Sequence, residues 1–255
     1  MPVLSMSQDL WARIAGTQAV PPSWVVAATA AFALVVVLEA RVWHLARNAI
    51  TIAHEGGHAL VSLVTGRRLD GIRLHSDSSG VTYSSGRQTG PGMVLTSVAG
   101  YVTPPLLGAG AAWLLAAHHV TAELWLLLVL LAATLLAIRN AYGVLAVLVT
   151  AGAVLAVSWV ASAAVQAICG YIAAWFLLLG GVRSVIDLQT QRRRGSRGRA
   201  VASDADRLAR LTRLPGGLWV ALFLLVSIAA LILGARLLYP GTAHLPHPAE
   251  LRRLG

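Results

Sequence analysis

The chain has 255 residues, of which 57% are apolar and 12% charged, with a mean hydropathy of +0.71. A soluble domain carries about a quarter charged residues, so a fully water-solvated globule is excluded and lipid must cover much of the surface. The formal charge is +10 and comes entirely from arginine. These arginines lie between apolar runs, the pattern of cytoplasmic loops facing anionic lipid, which argues against a nucleic-acid partner.

In chain order, residues 1–22 lack the basic start and long apolar stretch of a signal peptide. Leu10, Trp11 and Ile14 form one face of a short surface helix ended by Pro21 and Pro22, or else belong to a loosely ordered tail. A membrane-embedded core is expected over 23–182. A spanning helix needs about 20 mostly apolar residues, and seven runs qualify as candidates: 23–38, 44–64, 91–117, 123–138, 141–160, 163–182 and 218–238. Gly100, Pro104 and Pro105 predict a kink or break in the third. Between the second and third lies a different kind of segment, 67–85. There Leu69, Ile72 and Leu74 precede the turn-forming residues 76–80, and Val81 and Tyr83 follow. This alternation predicts a small β-hairpin, a plain connecting loop being the alternative. An Arg-rich loop is expected at 183–214, a last spanning helix at 215–239 and a tail at 240–255. Cys169, the single cysteine, lies in an apolar run and has no internal disulfide partner.

Arginine counts orient the chain. The stretch from Arg183 to Arg213 is the richest and should be cytoplasmic. Counting back through the helices places Arg139, the hairpin and the N-terminus on that side and the C-terminus outside. The 44–64 helix then runs from outside to inside. The expected architecture is an all-α, multi-pass protein of the cell membrane with about seven transmembrane helices and a small cytoplasmic β-hairpin.

The most informative residues are His54-Glu55-Gly56-Gly57-His58. On a helix, positions four apart lie one turn apart on one face, so the two imidazoles can bind one Zn²⁺ at about 2.0–2.1 Å each. Glu55 lies beside them, where it can take a proton from water that the metal activates. Ionisable groups within a membrane span are costly, about 2.5–3.5 kcal/mol each at the helix centre, and mark function by default. Without metal, the same three residues would line a packed or hydrated helix interface. Paired glycines in mid-helix, at about 1 kcal/mol each relative to Ala, point to close approach by a neighbouring helix or a substrate.

The pentapeptide, continued by Ala59 and Leu60, resembles the zinc helix of the site-2 protease family of membrane metalloproteases, in a bacterial branch with added helices. The hairpin after it resembles the family's membrane-associated β element, which presents the substrate strand. Ala99-Gly100 with Pro104 loosely resembles the small-residue motif of the next core helix. The resemblance covers roughly 40–160 and implies zinc-dependent cleavage of peptide bonds in or beside the transmembrane segments of other proteins.

One part of the family pattern is missing. The family takes its third zinc ligand from an Asp in an Asn-…-Pro-…-Leu-Asp-Gly stretch. Here Arg139-Asn140-Ala141-Tyr142-Gly143 resembles only its beginning, and Val147-Leu148-Val149 stands where the acid would be. Catalytic zinc usually has three protein ligands, so another acid is needed. Asp187 is the first choice, being near membrane depth on the side where the zinc helix ends; as a plain solvated acid it would sit near Arg183 and Arg192. Asp204 and Asp206 come next, although Ser203 followed by acids also reads as a helix start. Asn140 lines the site and holds a substrate carbonyl, or caps the fifth helix. His75, His118 and His119 lie in accessible loops. His44 is about three turns before His54, too far to share a metal, and His244 and His247 lack partner spacing.

The expected activity is that of an intramembrane zinc endopeptidase acting on membrane-protein or peptide substrates. His54, His58 and Asp187 hold Zn²⁺, Glu55 activates water, and the hairpin aligns an extended substrate by backbone hydrogen bonds. The alternatives are a catalytically inactive protease-like chaperone or regulator, favoured by the missing acid, and an ion-coupled transporter built on the His-Glu-His cluster.

Overall fold

A computed structural model describes residues 15–195 and 203–239. The expected N-terminal face of Leu10, Trp11 and Ile14, the arginines at 197 and 199, and the tail with His244 and His247 lie outside the described residues. The elements are α1 (Ser23–Leu38), α2 (Ala40–Val64), β1 (Arg68–Leu74), β2 (Gly80–Ser85), α3 (Pro91–Ala116), α4 (Val120–Ala137), α5 (Ala141–Val160), α6 (Ala163–Gly195), α7 (Asp204–Thr212) and α8 (Gly216–Leu238).

The expected seven spans become five helices long and apolar enough to cross a membrane, or six if the bent pair α1–α2 counts as one. The cause is visible in that pair. With 16 residues, α1 is about 24 Å long, short of a hydrocarbon core of about 30 Å. With Arg41, Arg47, His54, Glu55 and His58 along it, α2 is too polar to qualify alone. The two meet at Glu39 with a bend of 102°. Glu39 caps α2 there by accepting a hydrogen bond from Val42 N at 2.7 Å.

Two other expectations are narrowed: the third helix is not broken, and the sixth runs longer. Pro104 and Pro105 lie inside a single helix, α3, without a break; Gly181 of α6 packs against the Pro105 ring, where a Cβ would come within 3.0 Å. The helix expected to end at 182 continues as α6 to Gly195. Beyond Val182, Val185 and Leu188 are buried against Ala205, Leu208, Val220 and Phe223, so apolar contacts with α7 and α8 extend it.

The main core joins α1, α3, α4, α6 and α8 through residues such as Val26, Ala112, Leu115, Leu124, Tyr171, Leu178 and Leu238. A second cluster, with Ile52, Ala59, Ile72, Leu74, Ile138 and Val147, seats the hairpin on α2, α4 and α5. The hairpin is antiparallel, with Leu74 opposite Gly80, Arg68 opposite Ser85 and an irregularity between Leu69 and Gly71. Its turn is fastened to α2: Ser78 Oγ donates to His44 O at 3.0 Å, and Thr51 Oγ1 donates to Ser78 O at 2.9 Å.

The outer edge of β1 is occupied. Ile72 bridges Ile138 in parallel, Arg139 N donates to Ile72 O at 2.9 Å, and the Asn140 side chain bonds both backbone groups of Leu74, at 2.7 and 3.2 Å. Among the described residues the outer edge of β2 pairs with no strand.

Candidate metal centre

The centre begins on α2. Spacings of four, three and four place Arg47, Thr51, His54 and His58 along one stripe, with Glu55 beside it. The helix can approach α3 closely because of its glycines. A Cβ on Gly57 would strike the Thr103 side chain and stand 3.0 Å from Ala99 O. Close packing with α3 is therefore what Gly57 provides.

α3 supplies the facing wall. Gly100 is the position that makes room for both rings: a Cβ there would lie 2.5 Å from His58 Nε2 and 2.6 Å from His54 Nε2. Thr96 O, 2.6 Å from His58 Nδ1, can only accept, so Nδ1 carries the proton and the Nε2 lone pair is left for a metal. Such outer hydrogen bonds orient metal-binding imidazoles. The Tyr101 ring meets the His54 ring edge-on at 4.6 Å and stacks on Phe223 of α8 at 5.2 Å.

The acid brought to the histidines is Asp204, the first residue of α7. Its Oδ2 lies 3.2 Å from Nε2 of both His54 and His58, and those two nitrogens are 3.1 Å apart. Tetrahedral zinc with bonds of about 2.0–2.1 Å has ligand–ligand edges of about 3.3 Å. The three atoms thus nearly form one face of such a tetrahedron, and the donor set suits a divalent metal with the fourth position open. Burial alone would push the Asp204 carboxyl up. Without metal, positive charge on the facing His58 and His54 rings outweighs that and holds it well below the usual carboxylate range; a metal that displaced the ring protons would meet the ionised carboxylate that a ligand needs.

Asp187, the expected third ligand, is held elsewhere. Its Oδ2 accepts from Trp43 Nε1 at 2.9 Å and its Oδ1 from Arg183 Nε at 3.1 Å. It lines the same cavity, but these bonds turn its carboxylate toward the α1–α2 bend. Asp206 is the capping acid of α7: its Oδ2 accepts from Ser203 N at 3.1 Å while Ser203 Oγ caps Asp206 N. The helix-start reading was therefore right for Ser203 and Asp206, and it leaves Asp204 free to face the histidines. Asn140 holds Leu74 of β1 and not a site in the cavity; it is the N-cap residue of α5 by position, without a side-chain capping bond.

Glu55 is 4% exposed. Thr82 Oγ1 of β2 donates to Glu55 Oε2 at 2.7 Å, and a Cβ on Gly80 would stand 2.6 Å from Glu55 Cγ. Strand β2, whose outer edge pairs with no strand among the described residues, therefore runs directly over the carboxylate. A cavity of about 390 Å³ joins these parts, with His54, Glu55, His58 and Asp204 on one wall and residues 78–82 on another. Tyr101 and Thr82 were not singled out in the sequence; neither carries a spacing signal, since each reaches the site only through packing between elements.

A family model described as Peptidase M50B-like matches residues 27–234 of the chain. No curated protein and no solved structure matches it.

Proposed function

The chain belongs to the Peptidase M50B-like family, a site-2-protease family, and from that premise we propose that it is a zinc-dependent endopeptidase cleaving peptide bonds in or next to transmembrane segments. The observation that carries this reading is the triangle of His54 Nε2, His58 Nε2 and Asp204 Oδ2, with sides of 3.1–3.2 Å, in one cavity with Glu55. Bound there, zinc supplies Lewis acidity, polarising a carbonyl and lowering the pKa of water to about 7.

The protein's own residues do the rest. His58 is oriented by Thr96 O and His54 by the Tyr101 ring. Glu55, steadied by Thr82 Oγ1, takes a proton from the attacking water at its carboxylate and returns it to the leaving amine nitrogen. The open edge of β2 aligns an extended substrate by backbone hydrogen bonds, and its contact with Glu55 brings that strand to the reacting atoms. β1 cannot serve this purpose, because residues 138–140 cover its edge. The arginines at 139 and 192–194 sit at the hairpin end of the bundle, which by the positive-inside rule faces the cytoplasm; Gln18, bonded to His118 O and the Thr121 side chain at the other end of α3 and α4, then lies on the opposite side, against the expected cytoplasmic N-terminus.

The missing Leu-Asp-Gly acid is the argument for an inactive regulator; the place of Asp204 beside both histidines supports the active reading instead. The deciding experiment uses purified protein in proteoliposomes with a co-reconstituted transmembrane substrate. Glu55→Gln should keep about one zinc per chain and lose cleavage by at least about a hundredfold, the scale of general base catalysis. Cleavage unaffected by Glu55→Gln would overturn the protease reading.

A further inference from the structure

The cavity beside the metal centre has an unbalanced charge. Its three acids are all engaged: Glu55 by Thr82, Asp187 by Arg183 and Trp43, and Asp204 by the two histidines. Its two arginines are not. Arg47 of α2, half-buried, and Arg207 of α7, exposed, both line the cavity, and neither has an acidic partner among the described residues. A guanidinium at a cavity wall, without an acidic partner, is a carboxylate receptor.

Their places in the chain set a distance. Arg47 precedes His54 by seven positions, which on a helix is about 10.5 Å along the axis. An extended peptide advances about 3.3 Å per residue, so that separation corresponds to about three residues. Arg207 follows Asp204 by three positions, and residues at that spacing share one side of a helix. The two elements that hold the metal ligands therefore also carry the two unpaired cations.

We propose that Arg47 and Arg207 form a specificity subsite for a carboxylate, so that the preferred substrates carry Asp or Glu about three residues from the cleaved bond. This rests on the endopeptidase reading of the same cavity. A substrate strand lying along β2 would present such a side chain to Arg47 while its scissile carbonyl faces His54 and His58.

The test separates binding from chemistry by using full-length Glu55→Gln protein in detergent. The probes are fluorescent peptides with an apolar transmembrane stretch and a polar extension, in which one Glu is walked along the extension against a Gln control. One register of Glu should bind about tenfold tighter than Gln, the scale of one charge-assisted hydrogen bond in a partly hydrated site. The gain should vanish in Arg47→Gln and fall in Arg207→Gln. Arg47→Glu should prefer a third peptide that carries Arg at that register, a reversal that misfolding does not produce. Equal affinity at every register, or a gain that survives in the Arg47→Gln/Arg207→Gln double variant, would overturn the subsite. So would Arg47-dependent displacement of the peptides by vesicles of anionic lipid alone, which would make the site a lipid-phosphate site. Tight, Arg47-dependent binding without cleavage by the wild-type protein would instead count against the protease reading and leave the subsite standing.

Discussion

Gly100 shows how much of the centre depends on an absent side chain. Its Cα faces the two metal-binding nitrogens, and a Cβ would come within 2.5–2.6 Å of both rings. Ala is the better helix former by about 1 kcal/mol, which offsets part of the overpacking cost of about 1–3 kcal/mol, so Gly100→Ala should still fold while displacing the imidazoles. Its metal affinity should fall by about ten- to a hundredfold, the cost typical of disturbing groups that orient ligands; equilibrium dialysis against a zinc indicator measures it. Unchanged affinity would mean that the rings do not bind in the observed positions. At this scale the histidines and Glu55 were legible, because a five-residue helical spacing states their geometry outright. Asp204 was legible only as a second choice. It lies 146 residues from His58, and no local pattern spans such a separation. The signal that could have found it is the Ser203/Asp206 pair: a capping box assigns Asp206 to the helix end and leaves Asp204 with nothing local to do. Asp187 misled because depth along a helix says nothing of direction, and Trp43 and Arg183 turn its carboxylate away.

Helix α7 is the element on which the third ligand depends. Its nine residues are too few to be stable alone, and it is held by three devices. Ala205 and Leu208 are fully buried against α6 and α8, the Ser203/Asp206 capping box closes its start, and Arg192 of α6 grips Asp206 Oδ1 at 2.9–3.0 Å. Burial acts to raise the Asp206 carboxyl, but bonds from Ser203 and Arg192 outweigh it and lower it from its ordinary 3.8. A carboxyl lowered on folding stabilises fully above the unfolded value and loses that contribution as pH falls through the folded one. Asp206→Asn should therefore weaken α7 docking near neutral pH, by about 1 kcal/mol as caps do, and the deficit should shrink below about pH 4. Hydrogen-exchange protection of 203–212 in wild type and variant checks this. A deficit independent of pH would show that the charge on Asp206 does not contribute. The hairpin was readable from its alternation and turn residues. The covering of its β1 edge by residues 138–140 was not, because that contact joins segments separated by two helices.

For the whole molecule, composition alone announced lipid as the solvent, and the exposed Leu, Val and Ile side chains on α4, α5 and α8 agree with it. Counting apolar runs overstated the spans because hydropathy does not register a bend: α1 and α2 each have a helical sequence, yet they meet at 102°. That bend allows α2, the most polar helix of the bundle's core, to face α3, β2 and α7 together instead of lipid. The chain thus assembles its candidate metal ligands from two elements far apart in the sequence, α2 and α7. The most direct test is metal content of the purified full-length protein by elemental analysis. Wild type, Asp187→Ala and Glu55→Gln should retain about one zinc per chain, while His54→Ala, His58→Ala and Asp204→Ala should lose it. Zinc kept by Asp204→Ala and lost by Asp187→Ala would contradict the assignment.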